Sequence, residues 1–278
     1  MSVLVPLCAA FLYAAGSLGM KRAMESGASS WKVMTVSNLA IAAWSLPLFF
    51  LFPGTWNSGA ALAAILAGAA LFGGRIFAVK ALEHGDLSVV APLLALKTLL
   101  VALLSMFTRP ESVDMRLLAA AVLATAGVAL VQKSPSTGFA GHRKAVVFAA
   151  AASLLFAITD VIVQRFASKM GIGFFQPLMF VAVCLFVPFL RWGGVTPEGA
   201  GRPMFLGSAV LGLQTTMVLV AIGVTGQATL VNIVYSTRAL WGVAVDFFAG
   251  GKTVRLLAGW RIAGAALLVA AVIVALLK

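Results

Sequence analysis

Lys97 and Arg238 each stand near the middle of a long apolar run, at matching places in two similar stretches of the chain. With Gly85 set over Gly226, an offset of 141 residues, GDLSVVAPLLALKTLLVALLSMF lies ungapped over GQATLVNIVYSTRALWGVAVDFF, and Lys97 falls on Arg238. A cation in hydrocarbon costs about 2.5–3.5 kcal/mol on insertion scales, so such residues face a cavity or a partner. Two of them at equivalent places predict a central site for an anion.

The neighbours of Arg238 suit that chemistry. Tyr235, Arg238 and Trp241 recur at i, i+3 and i+6, close to one helix face. Asn232, Ser236 and Thr237 add hydrogen-bonding capacity. A guanidinium offers a planar fork to a carboxylate or phosphate, while aromatic rings flank a ligand or shield the cation. The alternative is a structural arginine paired with Asp160 or Asp246. Lys97 has Thr98 beside it and Pro92 upstream, where a proline frees a carbonyl and bends a helix around a cavity. To snorkel fully it would have to reach along about 15 Å of helix, beyond its stem, which predicts a cavity-facing lysine.

Arg75 follows Gly73-Gly74 about two turns before the end of its segment, and either lines the same cavity or reaches the headgroups. Gln214, with Thr215 and Thr216, supplies neutral donors, unless these hydroxyls bond their own backbone. Asp160 is an intramembrane acid, read either as a proton-coupling group or as the counter-ion of Arg238 or Lys97. Asp246 falls near the end of its segment and is expected at the interface. His84 and His142 lie in loops, and HExxH, GxGxxG, P-loop and GxSxG patterns do not occur. We therefore expect no catalytic residues, no metal, no cofactor and no enzyme activity.

The elements that must position these residues are membrane helices. Of 278 residues 62% are hydrophobic and 10% charged, against about 25% charged in soluble domains. Mean hydropathy is +1.07. A net charge of +12 could suggest nucleic acid, but no polar basic domain is present to carry that contact. Cys8 and Cys184 lie inside apolar segments and suggest neither a disulfide framework nor a zinc site. MSVLVPLCAAFLYAAG lacks a basic n-region and reads as a first span. Ten segments approach the roughly 20 residues a span needs: 3–20, 33–52, 60–82, 87–107, 115–131, 145–166, 174–190, 204–222, 227–249 and 256–277.

The longest polar linker, QKSPSTGFAGHRK, divides them into two fives. LYAAGSLGMKRAMESG also overlays LFAITDVIVQRFASKM, matching Tyr13 with Phe156 and Arg22 with Arg165. An odd number of spans per half forces the second half to insert upside down. The expected fold is therefore all-α, with ten transmembrane helices as two inverted five-helix repeats: 1–132, a linker at 133–143, and 144–278.

The chain resembles the EamA-type branch of the drug/metabolite transporter superfamily over nearly its whole length. The likeness rests on the two fives, on the first spans FLYAAGSLGMKRAME and LLFAITDVIVQRF, and on MFTRPESVDMRLLAAAVLATAGVAL. In that last stretch Glu111 falls where the family usually has Gly-Glu before a small-residue helix. Tyr13 stands where the family usually has Trp, and Lys252 replaces an acidic residue. The plastid phosphate translocators, a branch of the same superfamily, bind phosphate through basic residues on the fourth and ninth spans. Lys97 and Arg238 are similar in placement.

Alternate loops define two faces, one with twelve basic residues and one with five, leaving Arg75, Lys97 and Arg238 in the membrane. The positive-inside rule puts the twelve in the cytoplasm and both termini outside, whereas characterised relatives usually keep both termini in the cytoplasm. Together these readings predict a multi-pass inner-membrane protein, monomeric or homodimeric. It contacts lipids, not nucleic acid, and moves a small organic anion, phosphorylated or not, by alternating access. With no nucleotide-binding motif it would be a secondary transporter. The alternatives are a flippase for an anionic lipid headgroup and an exporter of amino acids or amphipathic metabolites.

Overall fold

A computed structural model describes residues 2–85, 87–108, 113–132, 143–189, 196–248 and 259–277. All regular structure among them is helical: α1 Leu4–Glu25, α2 Ser30–Ser45, α3 Leu48–Leu51, α4 Ser58–His84, α5 Leu87–Leu94, α6 Leu96–Thr108 and α7 Met115–Val131. There follow α8 Arg143–Met170, α9 Ile172–Phe186, α10 Gly201–Thr225, α11 Ala228–Tyr235, α12 Arg238–Phe248 and α13 Gly259–Leu276. Eight helices, or near-continuous helix pairs, are long and apolar enough to cross a membrane. The 17-residue α7 and the broken pair α11–α12 complete ten crossings. The protein is an all-α integral membrane protein.

Several helices run a turn beyond the apolar runs. α1 continues through Lys21 and Arg22, and α8 through Arg165 and Lys169, because a helix end satisfies its backbone while its long side chains enter the headgroup layer. Starts are set by short polar caps. Ser29, Asn57 and Asp114 accept from the backbone N–H three residues on, at 3.2, 2.8 and 2.8 Å. Glu111, which carried part of the family likeness, and Lys252, where the chain departs from it, lie outside the described residues.

Helix partners are exchanged between the halves. α1 packs along α10 as α8 packs along α4, α2 meets α10 as α9 meets α4, and α7 pairs with α13. The α7–α13 contact maps onto itself. A Cβ on Gly127 would meet the Gly264 carbonyl at 2.9 Å and the Leu268 N at 3.1 Å; one on Gly264 would meet the Gly127 carbonyl and the Val131 N, both at 2.8 Å. Gly127 thus sits level with the turn after Gly264, and Gly264 level with the turn after Gly127. Only antiparallel helices satisfy both, as two inverted halves require. Backbones approach this closely because both crossing residues lack a side chain.

The fourth and ninth spans are both broken, at matching points. α5 ends at Leu94 and α6 begins at Leu96; α11 ends at Tyr235 and α12 begins at Arg238. Ala95 and Ser236 stand 141 residues apart, at the offset that aligns Lys97 with Arg238. In the fourth span Pro92 removes a donor, and the Leu93 carbonyl accepts the Ser153 hydroxyl at 2.9 Å. The ninth span has no proline. Ser236 and Thr237 donate to the carbonyls of Ile233 and Val234 at 2.6 and 2.7 Å, tightening the turn. Each cation therefore occupies the first turn of a half-helix, while short backbone bonds such as Thr98 N–H to the Ala95 carbonyl and Ala239 N–H to the Ser236 carbonyl carry the chain across the break.

Candidate functional site

Lys97, on α6, is closed off by a carboxylate. Its Nζ lies 2.8 Å from Asp160 Oδ2 on α8, and the Asp160 side chain is 3% exposed. Asn232, on α11, donates from Nδ2 to the same oxygen at 2.7 Å and to the Ala228 carbonyl at 2.9 Å. Asp160 is thus the counter-ion of Lys97, and Asn232 joins that pair to the ninth span. An ion pair buried this deeply persists only when the carboxylate gains further hydrogen bonds of this kind.

Arg238, first residue of α12, is held differently. Its Cζ lies 4.4 Å from the ring centroid of Tyr235 and 5.1 Å from that of Tyr13 on α1. The two tyrosine rings meet edge to face at 6.0 Å. The Tyr235 hydroxyl donates to Gln214 Oε1 at 2.8 Å, Gln214 Nε2 donates to Thr215 Oγ1 at 2.6 Å, and Thr215 donates to the Leu211 carbonyl at 2.8 Å. This relay from α11 to α10 fixes the Tyr235 ring beneath the guanidinium. Among the described residues no carboxylate pairs with Arg238.

Arg238 instead lines a cavity of about 750 Å³. Tyr13, Ser17 and Ala91 share its walls with apolar side chains such as Leu18, Leu94 and Val128. The lining continues to Lys21 near the end of α1, Gln132 after α7 and Arg261 at the start of α13. Those three helix ends lie on the face that carries the twelve basic residues. The cavity therefore runs from a mid-membrane cation to the basic side of the protein.

The remaining expected residues lie around this centre. Arg75 turns inward from α4 to α2, donating from Nη1 to Ser37 Oγ at 2.9 Å and Asn38 Oδ1 at 2.5 Å, so it does not reach the headgroups. Trp241 packs edge to face on Phe11 at 5.4 Å and is not among the residues lining the cavity. The side chain of Asp246 is outside the described set. Sequence reasoning did not single out Ser37 and Asn38, although a buried Ser-Asn pair inside TVSNLAI is a visible polar break in an apolar span. It also missed Ser17 and Ala91, which carry no signal without the cavity.

Residues 1–132 match the EamA-like transporter family. This half of the chain is an EamA-like transporter domain. The matched range covers the first five spans, the half that carries Tyr13, Arg75 and Lys97. A protein of known crystal structure is similar over 99% of this chain and 96% of its own length, with a TM-score of 0.78 and 17% identity. At that identity the likeness is one of fold. No curated protein matches this chain.

Proposed function

We propose that this transporter carries a small organic anion across the inner membrane by alternating access, as a secondary transporter. The observation that carries the reading is Arg238: a guanidinium with no carboxylate partner among the described residues, lining a large cavity at the break of a membrane helix. An arginine there is costly unless it gains an anion in part of the cycle. Residues 1–132 and 144–278 act as the two repeats, and rocking one against the other exposes the site to each face in turn. The apolar wall formed by Leu18, Leu94 and Val128 favours an anion with an apolar body, in line with export of amphipathic metabolites.

Within this reading Tyr235 and Gln214 hold Arg238 in place, and Arg75 stiffens the α2–α4 contact. Lys97, Asp160 and Asn232 form the occluded counterpart. Charge-assisted hydrogen bonds contribute about 1.5–3 kcal/mol each, so removing the guanidinium weakens binding by roughly 10- to 150-fold. The test is uptake and binding of a series of aliphatic and aromatic carboxylates and phosphate esters in proteoliposomes, comparing Arg238→Ala and Arg238→Lys with the parent protein. Both variants are expected to lose uptake, the lysine one because a point charge does not replace the fork. Unchanged flux in the alanine variant at matched folding would remove the case for an anionic substrate.

A further inference from the structure

The two halves of the site are not chemically equal, and the difference identifies what is missing from one of them. The overlay that matches Tyr13 with Phe156 puts Ser17 on Asp160, and the 141-residue offset puts Ala91 on Asn232. The packing keeps the first-span register: Thr159 donates to the Ala67 carbonyl on α4, and its counterpart Gly16 abuts the Gly207 carbonyl on α10. The triad Lys97–Asp160–Asn232 therefore has the counterpart Arg238, Ser17 and Ala91. All three counterparts line the cavity of about 750 Å³. On one side of the twofold a cation is neutralised by an internal carboxylate that an amide also holds. On the other side the cation remains, but the carboxylate is truncated to a hydroxymethyl and the amide to a methyl.

We propose that Ser17 and Ala91 mark the anion subsite of the cavity, where a ligand's carboxylate takes the place against Arg238 that Asp160 takes against Lys97. This rests on the anion-transport reading and sharpens it. One guanidinium without a carboxylate partner among the described residues matches one negative charge, so the ligand presents a monoanionic group at this position. Ser17 lies one turn beyond Tyr13 on α1, so its hydroxyl supplies a hydrogen bond beside the ring that Arg238 covers. The space left by the shorter side chains at 17 and 91 is where the group enters.

The subsite is tested without knowing the ligand. In a background with Cys8→Ser and Cys184→Ser, Ser17→Cys is reacted with methanethiosulfonates bearing either a sulfonate or a trimethylammonium group. The sulfonate reagent is expected to react faster by about tenfold or more, because a like-signed cleft concentrates counter-ions by that order. Arg238→Gln should abolish the preference. Equal rates, or a preference that survives Arg238→Gln, would overturn the proposal. As a second measurement, Ser17→Asp is compared with Ser17→Asn in thermal unfolding. The aspartate variant should be the more stable when Arg238 is present and the less stable with Arg238→Gln; the same order in both backgrounds also counts against the subsite. Neither measurement involves transport. Loss of carboxylate uptake in Arg238→Ala without a labelling preference would reject the subsite and leave the transport reading intact, whereas a labelling preference with unchanged uptake would reject the transport reading.

Discussion

At the scale of single residues, the pair Lys97–Asp160 and the arginine Arg238 answer one problem in two ways. A charge in the membrane interior needs compensation, and Lys97 receives it from Asp160 at 2.8 Å whereas Arg238 receives it from the faces of two tyrosines. Breaking a buried pair from one side leaves an uncompensated charge, at a cost of about 3–5 kcal/mol, while replacing both partners is far milder. Asp160→Asn should therefore lower the unfolding temperature sharply, and Lys97→Met added to it should recover most of the loss. Thermal unfolding of the two single variants and the double variant in detergent checks this. Additive losses would show that the 2.8 Å pair contributes no coupling. That a cation at 97 and one at 238 belong together was legible from the 141-residue offset alone. Which of them Asp160 serves was not, because Asp160 lies on a different span from both and only helix packing selects its partner.

Among the elements, the decisive ones are those that break or touch. The breaks at Ala95 and at Ser236–Thr237 set both cations at the start of half-helices, with Pro92 a turn upstream and Ser153 on the Leu93 carbonyl in one case and serine and threonine hydroxyls in the other. Pro92 announces its break in the sequence. The hydroxyl-made break does not, since the same residues sit without effect in many membrane helices. The α7–α13 crossing depends on two residues without side chains, and a Cβ on Gly264 would fall 2.8 Å from the Gly127 carbonyl. Gly264→Ala should destabilise the protein by about 1–3 kcal/mol through overpacking against backbone. Gly242→Ala, where a Cβ would have nothing within 4 Å, should be neutral or stabilising, since alanine exceeds glycine in helix propensity by about 1 kcal/mol. Unfolding temperatures of the two variants, measured side by side, decide whether close backbone approach holds this crossing.

For the whole molecule, the charge distribution and the cavity point the same way. The helix ends at the far limit of the cavity lining, at Lys21, Gln132 and Arg261, belong to the face with twelve basic residues. If the positive-inside rule governs insertion, that face is cytoplasmic and the conformation described is open inward. In intact cells of the cysteine-free background, Thr137→Cys should then resist a membrane-impermeant maleimide until the membrane is permeabilised, and Lys278→Cys should be labelled directly. Direct labelling at 137 would reverse the orientation.

Ten membrane helices in two inverted sets follow from the order of residues, because hydrophobic length and the parity of spans per repeat are one-dimensional properties. The ungapped overlay also pairs Lys97 with Arg238, and both stand at the start of the second part of a broken span. Tertiary structure alone decided which cation is neutralised and which lines the cavity, that Arg75 turns to Ser37 and Asn38, and that Trp241 packs on Phe11. Those outcomes depend on the rotation of each helix about its axis and on the neighbour it meets, and in a membrane, where hydrophobicity does not separate inward from lipid-facing sides, close packing of small residues sets that rotation.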